Sequence, residues 1–328
     1  MEGKKEIGIL GVNTVFFITA LLLIFVGSYV QYLDIKIGLL ITEFILVLLP
    51  PIIYIKFKGA DLTEILRIKR LKAKHGVFIV FITILSYPVA LFFNLIGLLL
   101  LSTLGQLEPP PLPTADNLTE YLILFLIFAG SAGICEEIFF RGLIMRGYER
   151  FGKEKAIVVS ALLFGMFHFN LQNLLGPIFL GLIFGYLVYR TDSIAAGIIG
   201  HTTNNGVAVT LGWIGNLINE KNGVIMNEAM PSTLELVGAL IGTAVIATIT
   251  GFLAFLLLRI IVKETQHVNK KTIEDAAVDL DGFIEENTEF ENDSKEKTSL
   301  WAFIPVGLTI MIFLFVSYLQ ITKMYLNL

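Results

Sequence analysis

Long apolar stretches constrain the fold of this chain more than any other feature of its sequence. A helix that crosses a membrane needs about 20 apolar residues, and the chain offers about nine such stretches. They are predicted at 8–30, 37–55, 77–104, 121–145, 156–169, 174–189, 194–217, 234–261 and 300–325. Because a lipid-exposed segment must satisfy its own backbone hydrogen bonds, all of them should be helical. The sequence therefore predicts an all-α, polytopic membrane helical bundle.

Composition supports this fold class and excludes others. Of the 328 residues, 55% are hydrophobic and 16% are charged, and a mean hydropathy of +0.78 is too high for a soluble domain. The lone cysteine, Cys135, excludes a disulfide framework and any cysteine-rich metal site. A net charge of −4 gives no electrostatic basis for binding nucleic acid. The expected partner is the lipid bilayer, and the expected location is the cell membrane.

Basic residues predict how the helices are oriented. Lysines and arginines gather in the loops after the second, fourth, sixth and eighth predicted helices, whereas the alternate loops are poor in them. Since basic loops stay in the cytoplasm, we expect a cytoplasmic N-terminus and an external C-terminus. In the first basic loop, Asp61 to Lys74 is predicted either as a helix lying on anionic lipid or as an ordinary positively charged loop.

Composition also divides the chain into four parts. Residues 1–116 are predicted to form N-terminal membrane helices with a basic cytoplasmic loop, and residues 117–261 a catalytic membrane core. Residues 262–299 carry many acidic and few large apolar side chains, which predicts a flexible cytoplasmic linker. Residues 300–328 are predicted to form a C-terminal membrane helix.

Ionisable and polar residues interrupt the predicted core in three segments, ICEEIFFRG, FGMFH and HTTNN. They are Glu136, Glu137, Arg141, His168, His201 and Asn205. A charged group at membrane depth costs about 3 kcal/mol on insertion scales, so such groups are rarely incidental. Counting the helical rise from the helix ends puts Glu136, His168 and His201 at similar depths, where they can meet. We interpret the set as a reactive site.

The spacing of these residues suggests what each can do. Residues four apart share one face of a helix, so Glu137 can pair with Arg141, and His201 lies beside Asn205. Glu136 points elsewhere on its helix and is left free to face the interior. A carboxylate and a histidine can activate water, and a second histidine with an asparagine amide can donate hydrogen bonds to an oxyanion. Those are the parts needed to hydrolyse an amide.

The three segments resemble the signatures EExxxR, FxxxH and HxxxN of the CAAX prenyl protease and bacteriocin-processing family. Their order and their placement on three helices also match, over roughly Asn117 to Gly215. The resemblance implies a membrane-embedded endopeptidase of the kind the type II CAAX prenyl endopeptidases represent. The roles it implies are water activation by Glu136 and His168, oxyanion stabilisation by His201 and Asn205, and organisation of the site by Glu137 and Arg141.

The same motif residues bear on the cofactor and the substrate. We expect no cofactor, because an asparagine amide is an unusual zinc ligand but a good oxyanion donor, and no HExxH occurs. The alternative is a zinc enzyme in which Glu136, His168 and His201 are the ligands, since two histidines and a carboxylate resemble a catalytic zinc shell. The expected substrate is a membrane-associated, leader or prenylated peptide.

Two other functions stay open at this stage. One is a non-proteolytic membrane regulator or bacteriocin-immunity scaffold of the same fold, against which the complete set of catalytic residue types counts. The other is a transporter, although the chain shows no duplicated pair of broken helices. Two further polar groups are expected to be uninvolved: Glu43, which should reach the outer membrane interface, and Cys135, a small apolar filler.

Overall fold

The computed structural model describes residues 7–107, 113–222, 231–281 and 299–326, and these form helices without strands. Short 3₁₀ turns at Leu171–Asn173 and Leu300–Phe303 precede two of the helices. The helices are α1 (Ile9–Leu33), α2 (Ile35–Phe57), α3 (Leu62–Ile65), α4 (Ala73–Ser102), α5 (Leu118–Phe151), α6 (Lys153–Met166), α7 (Leu175–Thr191), α8 (Ile194–Lys221), α9 (Thr233–Asp281) and α10 (Ile304–Leu326). The predicted all-α bundle is confirmed.

Seven helices of the described residues are long and apolar enough to cross a membrane. They are α1, α2, α4, α5, α7 with its preceding turn, α9 and α10. Two further helices, α6 and α8, coincide with predicted membrane helices but are not among these seven. Helix α6 has only 14 residues, and α8 carries the polar run HTTNN. The protein is therefore a multi-pass membrane protein.

Side-chain caps fix where several helices begin. Asp34 accepts from the amide of Ile37 at the start of α2, and Asn117 accepts from the amide of Glu120 at the start of α5. Such caps satisfy amides that have no partner within the helix. Gly152, with φ +107°, makes the tight turn from α5 to α6, because this conformation is strained for residues with a side chain.

Helix α5, which carries EEIFFR, lies at the centre of the bundle. Half of the most apolar 18-residue stretch of α5 is buried, a larger share than in any other candidate membrane helix of the described residues. Phe139 and Phe140 of α5 contact Phe16 of α1 and Phe167 beyond α6, with ring centroids 5.1 to 6.3 Å apart. This aromatic cluster joins the N-terminal helix to the core.

The outer helices are tied to the core by polar contacts. Asn13 of α1 donates to the carbonyl of Ala302 and accepts from the hydroxyl of Tyr148, both at 2.8 Å. At the other end of α10, Gln320 donates to the carbonyl of Phe169 at 2.6 Å and accepts from the amide of Leu171 at 3.1 Å. The last helix thus satisfies the backbone of the turn between α6 and α7, as membrane depth requires.

The first basic loop is held by ion pairs with the protein. Arg67, almost fully buried, contacts Asp192 at 2.9 Å and Glu149 at 2.5 Å, and Lys69 also pairs with Asp192. We call Arg67, Glu149 and Asp192 the loop clasp. It favours the ordinary-loop interpretation of Asp61 to Lys74, with one helical turn, Leu62–Ile65, over a lipid-bound helix.

The predicted linker begins within a helix. Helix α9 continues without interruption to Asp281, into the segment 262–299. Residues 282–298 of that segment lie outside the described residues. Arg190 of α7 holds α9 at this level by donating to the carbonyl of Val262 at 2.6 Å and to the hydroxyl of Thr265 at 2.8 Å.

Candidate functional site

Glu137 and Arg141 form the predicted pair along one flank of α5. Arg141 Nη1 donates to Glu137 Oε1 at 2.7 Å, and both residues are fully buried. Arg141 Nη2 donates to the carbonyl of Gly181 on α7 at 3.2 Å. Burying one of these charges alone would be costly, so the pair and the carbonyl stabilise each other at this depth.

His201 joins this pair from α8. Its Nδ1 lies 3.0 Å from Glu137 Oε1, the oxygen that also accepts from Arg141, and the ring is only 4% exposed. With Nδ1 donating to the carboxylate, Nε2 is the nitrogen left to face a reacting group. A neutral ring offers an acceptor there. A protonated ring offers a donor.

The ring of Phe164 connects the motif FGMFH with EEIFFR and HTTNN. The Phe164 ring is edge-on to both histidines, with centroids 5.3 Å from His168 and 5.5 Å from His201. The Arg141 guanidinium lies 4.6 Å from the centre of the same ring. Phe184 stacks on His201 at 5.8 Å. Residues of EEIFFR, FGMFH and HTTNN therefore meet around one phenylalanine.

His168 sits just beyond the end of α6. Its Nδ1 lies 3.0 Å from the carbonyl of Phe164, so a neutral ring donates there and leaves the Nε2 lone pair free. In contrast to His201, the residue is exposed. Among the residues that the structure describes, no hydrogen bond joins His168 to Glu136.

Asn205 is oriented by contacts on both sides of its amide. Its Nδ2 donates to the carbonyl of Phe128 on α5, and its Oδ1 accepts from Asn204 Nδ2, both at 3.0 Å. Phe128 belongs to a wide, π-helical stretch of α5, Phe125–Ser131. Such stretches often occur at functional sites, since their carbonyls are less well satisfied within the helix. The second N–H of the Asn205 amide is left for another acceptor.

Glu136 makes no hydrogen bond to this network among the described residues. It is partly buried, and its Oε2 is buried without a hydrogen-bond partner. Its carboxyl group interacts electrostatically with Glu43 of α2 and with Arg141. The prediction that Glu43 reaches the outer interface is wrong: the side chain is 6% exposed and is packed against α5.

Small residues allow the helices to approach closely enough for these contacts. A Cβ atom at Gly133 of α5 would lie 3.0 Å from the backbone nitrogen of Thr202 on α8 and would overlap its hydroxyl. A Cβ atom at Gly197 of α8 would overlap Glu137 Oε2. These glycines let α8 come close enough for His201 to reach Glu137.

An apolar cleft of about 330 Å³ opens between α5 and α8. It is lined by Phe125, Thr203, Gly206, Val207, Thr210 and Leu211. Two of its lining residues, Thr203 and Gly206, flank the segment that contains Asn205. The lining residues of α8 share one face of that helix, and Asn205 lies on another.

The two histidines meet one requirement of a metal site. In each histidine Nδ1 lies within hydrogen-bonding distance of an acceptor and Nε2 is free. Histidines that bind a metal through Nε2 have the same arrangement at Nδ1. However, among the described residues no three side chains of His, Cys, Asp and Glu converge as a metal shell requires. In this arrangement Glu136, His168 and His201 do not converge as the ligands of a zinc ion would.

Several functional contacts lie outside the predicted site. Phe164, Phe184, Asn204 and the carbonyl of Gly181 all touch predicted site residues. Phe164 is the first residue of the motif FGMFH, and Asn204 precedes Asn205, so proximity in sequence could have indicated both. No local signal indicates Phe184 or Gly181, because they reach the site only through the packing of α7.

Residues 118–207 of the chain match the family model of the type II CAAX prenyl endopeptidase Rce1-like proteins. No curated protein and no solved structure matches the chain. The matched segment contains EEIFFR, FGMFH and HTTNN, so the match and the site geometry fall on the same helices. It supports protease activity in general. The resemblance to the CAAX prenyl protease family that the three motifs carry is therefore confirmed over this segment.

Proposed function

We propose that the protein is a membrane-embedded endopeptidase that hydrolyses peptide bonds with a water molecule activated by Glu136 and His168. One observation carries the proposal: contacts of the buried Phe164 ring join all three motifs in the segment that matches the endopeptidase family. Within the described residues, the same segment leaves Nε2 of both histidines and Oε2 of Glu136 without a hydrogen-bond partner, which a purely structural helix contact would not require.

The proposed reaction uses these groups in sequence. Water lies between Glu136 and the Nε2 of His168, loses a proton to the carboxylate, and attacks the carbonyl carbon of the scissile amide. His201 and Asn205 donate hydrogen bonds to the oxyanion that forms. The proton then passes from Glu136 to the amine nitrogen as the C–N bond breaks, which restores the carboxylate. Glu137 and Arg141 hold His201 in place.

We further propose that the substrate is a membrane-associated peptide, either prenylated or with a leader segment. The matched family is that of the type II CAAX prenyl endopeptidases, and the apolar cleft between α5 and α8 suits a hydrocarbon chain or an apolar side chain. A site reached from within the bundle selects a substrate that is already in the bilayer.

The test is cleavage by the purified protein in detergent, with farnesylated and unmodified peptide libraries. Glu136→Gln and His168→Ala should each lower turnover by at least roughly a hundredfold, because each removes a group that activates water. The matched control is Glu154→Gln, an exposed carboxylate on α6. Full turnover in Glu136→Gln would disprove the mechanism. If the wild type binds peptides without cleaving them, the protein is better described as a non-proteolytic regulator. Solute uptake into vesicles that contain the protein would favour a transporter.

A further inference from the structure

Glu43 is a buried carboxyl group that the proposed reaction does not use. It lies in the wide, π-helical stretch Thr42–Val47 of α2, is 6% exposed, and has an oxygen, Oε2, without a hydrogen-bond partner. This stretch packs against Ala132–Glu137 of α5. A buried carboxyl group with no partner is costly, so its retention calls for a functional reason.

The stretch of α5 that packs against Glu43 contains Glu136. The two carboxyl groups interact electrostatically, and each has one buried oxygen that no donor satisfies. The other group of α5 that faces them is the thiol of Cys135. From α1, the uncharged Gln31 approaches this part of α2 and donates to Thr42 Oγ1 at 2.9 Å. Among the described residues, no cation pairs with Glu43.

Two carboxylates buried together cannot both be ionised, so such a pair holds one proton between them. The surroundings decide which group carries it. Burial disfavours a charge most in the more enclosed group. Glu43 is 6% exposed, whereas Glu136 is only partly buried, so we place the shared proton on Glu43.

We propose that Glu43 is a positioning residue for Glu136: as a neutral carboxylic acid, it donates a hydrogen bond to the Glu136 carboxylate and orients the oxygen that takes the proton from water. This role rests on the proposed function. During the reaction the O–H bond of water breaks and its proton moves to Glu136, so both carboxyl groups are briefly neutral. The proton leaves with the amine, and the pair again holds one.

Replacement of Glu43 separates this role from simple space filling. Glu43→Leu keeps the volume but cannot donate, and we expect its kcat to fall by roughly ten- to a hundredfold with little change in KM. Glu43→Gln resembles the protonated acid and should restore most of that loss. The matched control is Phe44→Leu, the exposed neighbour on α2. Equal turnover of the Leu variant and the wild type would overturn the proposal, as would equal losses in the Leu and Gln variants.

A second measurement tests the pair without using activity. Thermal unfolding is compared for the wild type, Glu43→Gln, Glu136→Gln and the double variant. If one proton links the two groups, the shift in the double variant should differ from the sum of the single shifts by about 2 °C or more. Additive shifts would overturn the contact. If no peptide is cleaved but the shifts are non-additive, the proposed function fails while the pair stands.

Discussion

A single oxygen of Glu137 organises the network, since it accepts from Arg141 and lies within hydrogen-bonding distance of His201. Removing either charge of the pair would leave the other buried without its ionic partner. We expect Arg141→Met to lower the free energy of unfolding by about 3 to 5 kcal/mol. The double variant Glu137→Leu/Arg141→Met should recover much of that loss. Thermal or denaturant unfolding in detergent measures both, and equal stability of the single variant and the wild type would show that the pair carries no such cost.

The proposed oxyanion donors, His201 and Asn205, should affect turnover more than binding. The loss of one such donor costs about a hundredfold or more in rate, so His201→Ala and Asn205→Ala should each lower kcat by that amount and leave KM nearly unchanged. Asn216→Ala, which removes another amide of α8, is the control. A large rise in KM with an unchanged kcat would assign these residues to substrate binding instead.

Local spacing predicts the contacts that occur within one helix and misses those between helices. The pairing of Glu137 with Arg141 follows from four-residue spacing and is present in the structure. The contact between Glu137 and His201 joins residues 64 positions apart, which spacing within a helix cannot reveal. Glu43 was misjudged for the same reason: its burial depends on which face of α2 meets α5.

At the scale of helices, the close approach of α5 and α8 depends on Gly133. We expect Gly133→Ala to destabilise the protein by about 1 to 3 kcal/mol, because the new methyl group would overlap Thr202. Turnover should fall too, as His201 moves away from Glu137. Gly130→Ala is a close control on the same helix, since a Cβ atom there meets nothing within 4 Å. Similar effects of both substitutions would mean that helix propensity, not packing, matters at Gly133.

Hydropathy predicts the existence of the helices well and their limits less well. The predicted segments 121–145 and 234–261 are much shorter than α5 and α9, which end at Phe151 and Asp281. Both extensions are polar, and hydropathy follows the lipid-facing part of a helix, not its hydrogen bonds. The turn after α6 falls where the predicted helices 156–169 and 174–189 leave a gap, but its hydrogen bonds with Gln320, from the far end of the sequence, could not be predicted.

At the scale of the whole molecule, the site draws on more of the chain than the predicted catalytic core, 117–261. Phe16 of α1 packs against the aromatic residues of α5, and Glu43 of α2 faces Glu136. Helix α10 and the loop clasp secure the two ends of α6 and α7. Composition alone could not indicate these contacts, because the flanking helices carry no motif of their own.

The metal content of the intact protein tests the proposed chemistry as a whole. If Glu136 and His168 activate water without a metal, the extensively chelated protein should contain less than one zinc ion per molecule and should keep its activity. Elemental analysis and a cleavage assay on the same preparation measure both. Stoichiometric zinc, with a reversible loss of activity on its removal, would instead make Glu136, His168 and His201 ligands and Glu137 the base.

The shortness of α6 has a consequence for the surrounding lipid. Its 14 residues extend about 21 Å, against about 30 Å for the hydrocarbon core of a typical bilayer. The bilayer beside a helix this short becomes locally thinner to match its length. Lipid headgroups and their bound water would then lie closer to His168, which follows the end of α6. Hydrophobic mismatch could thus supply water to a hydrolytic site without a dedicated channel.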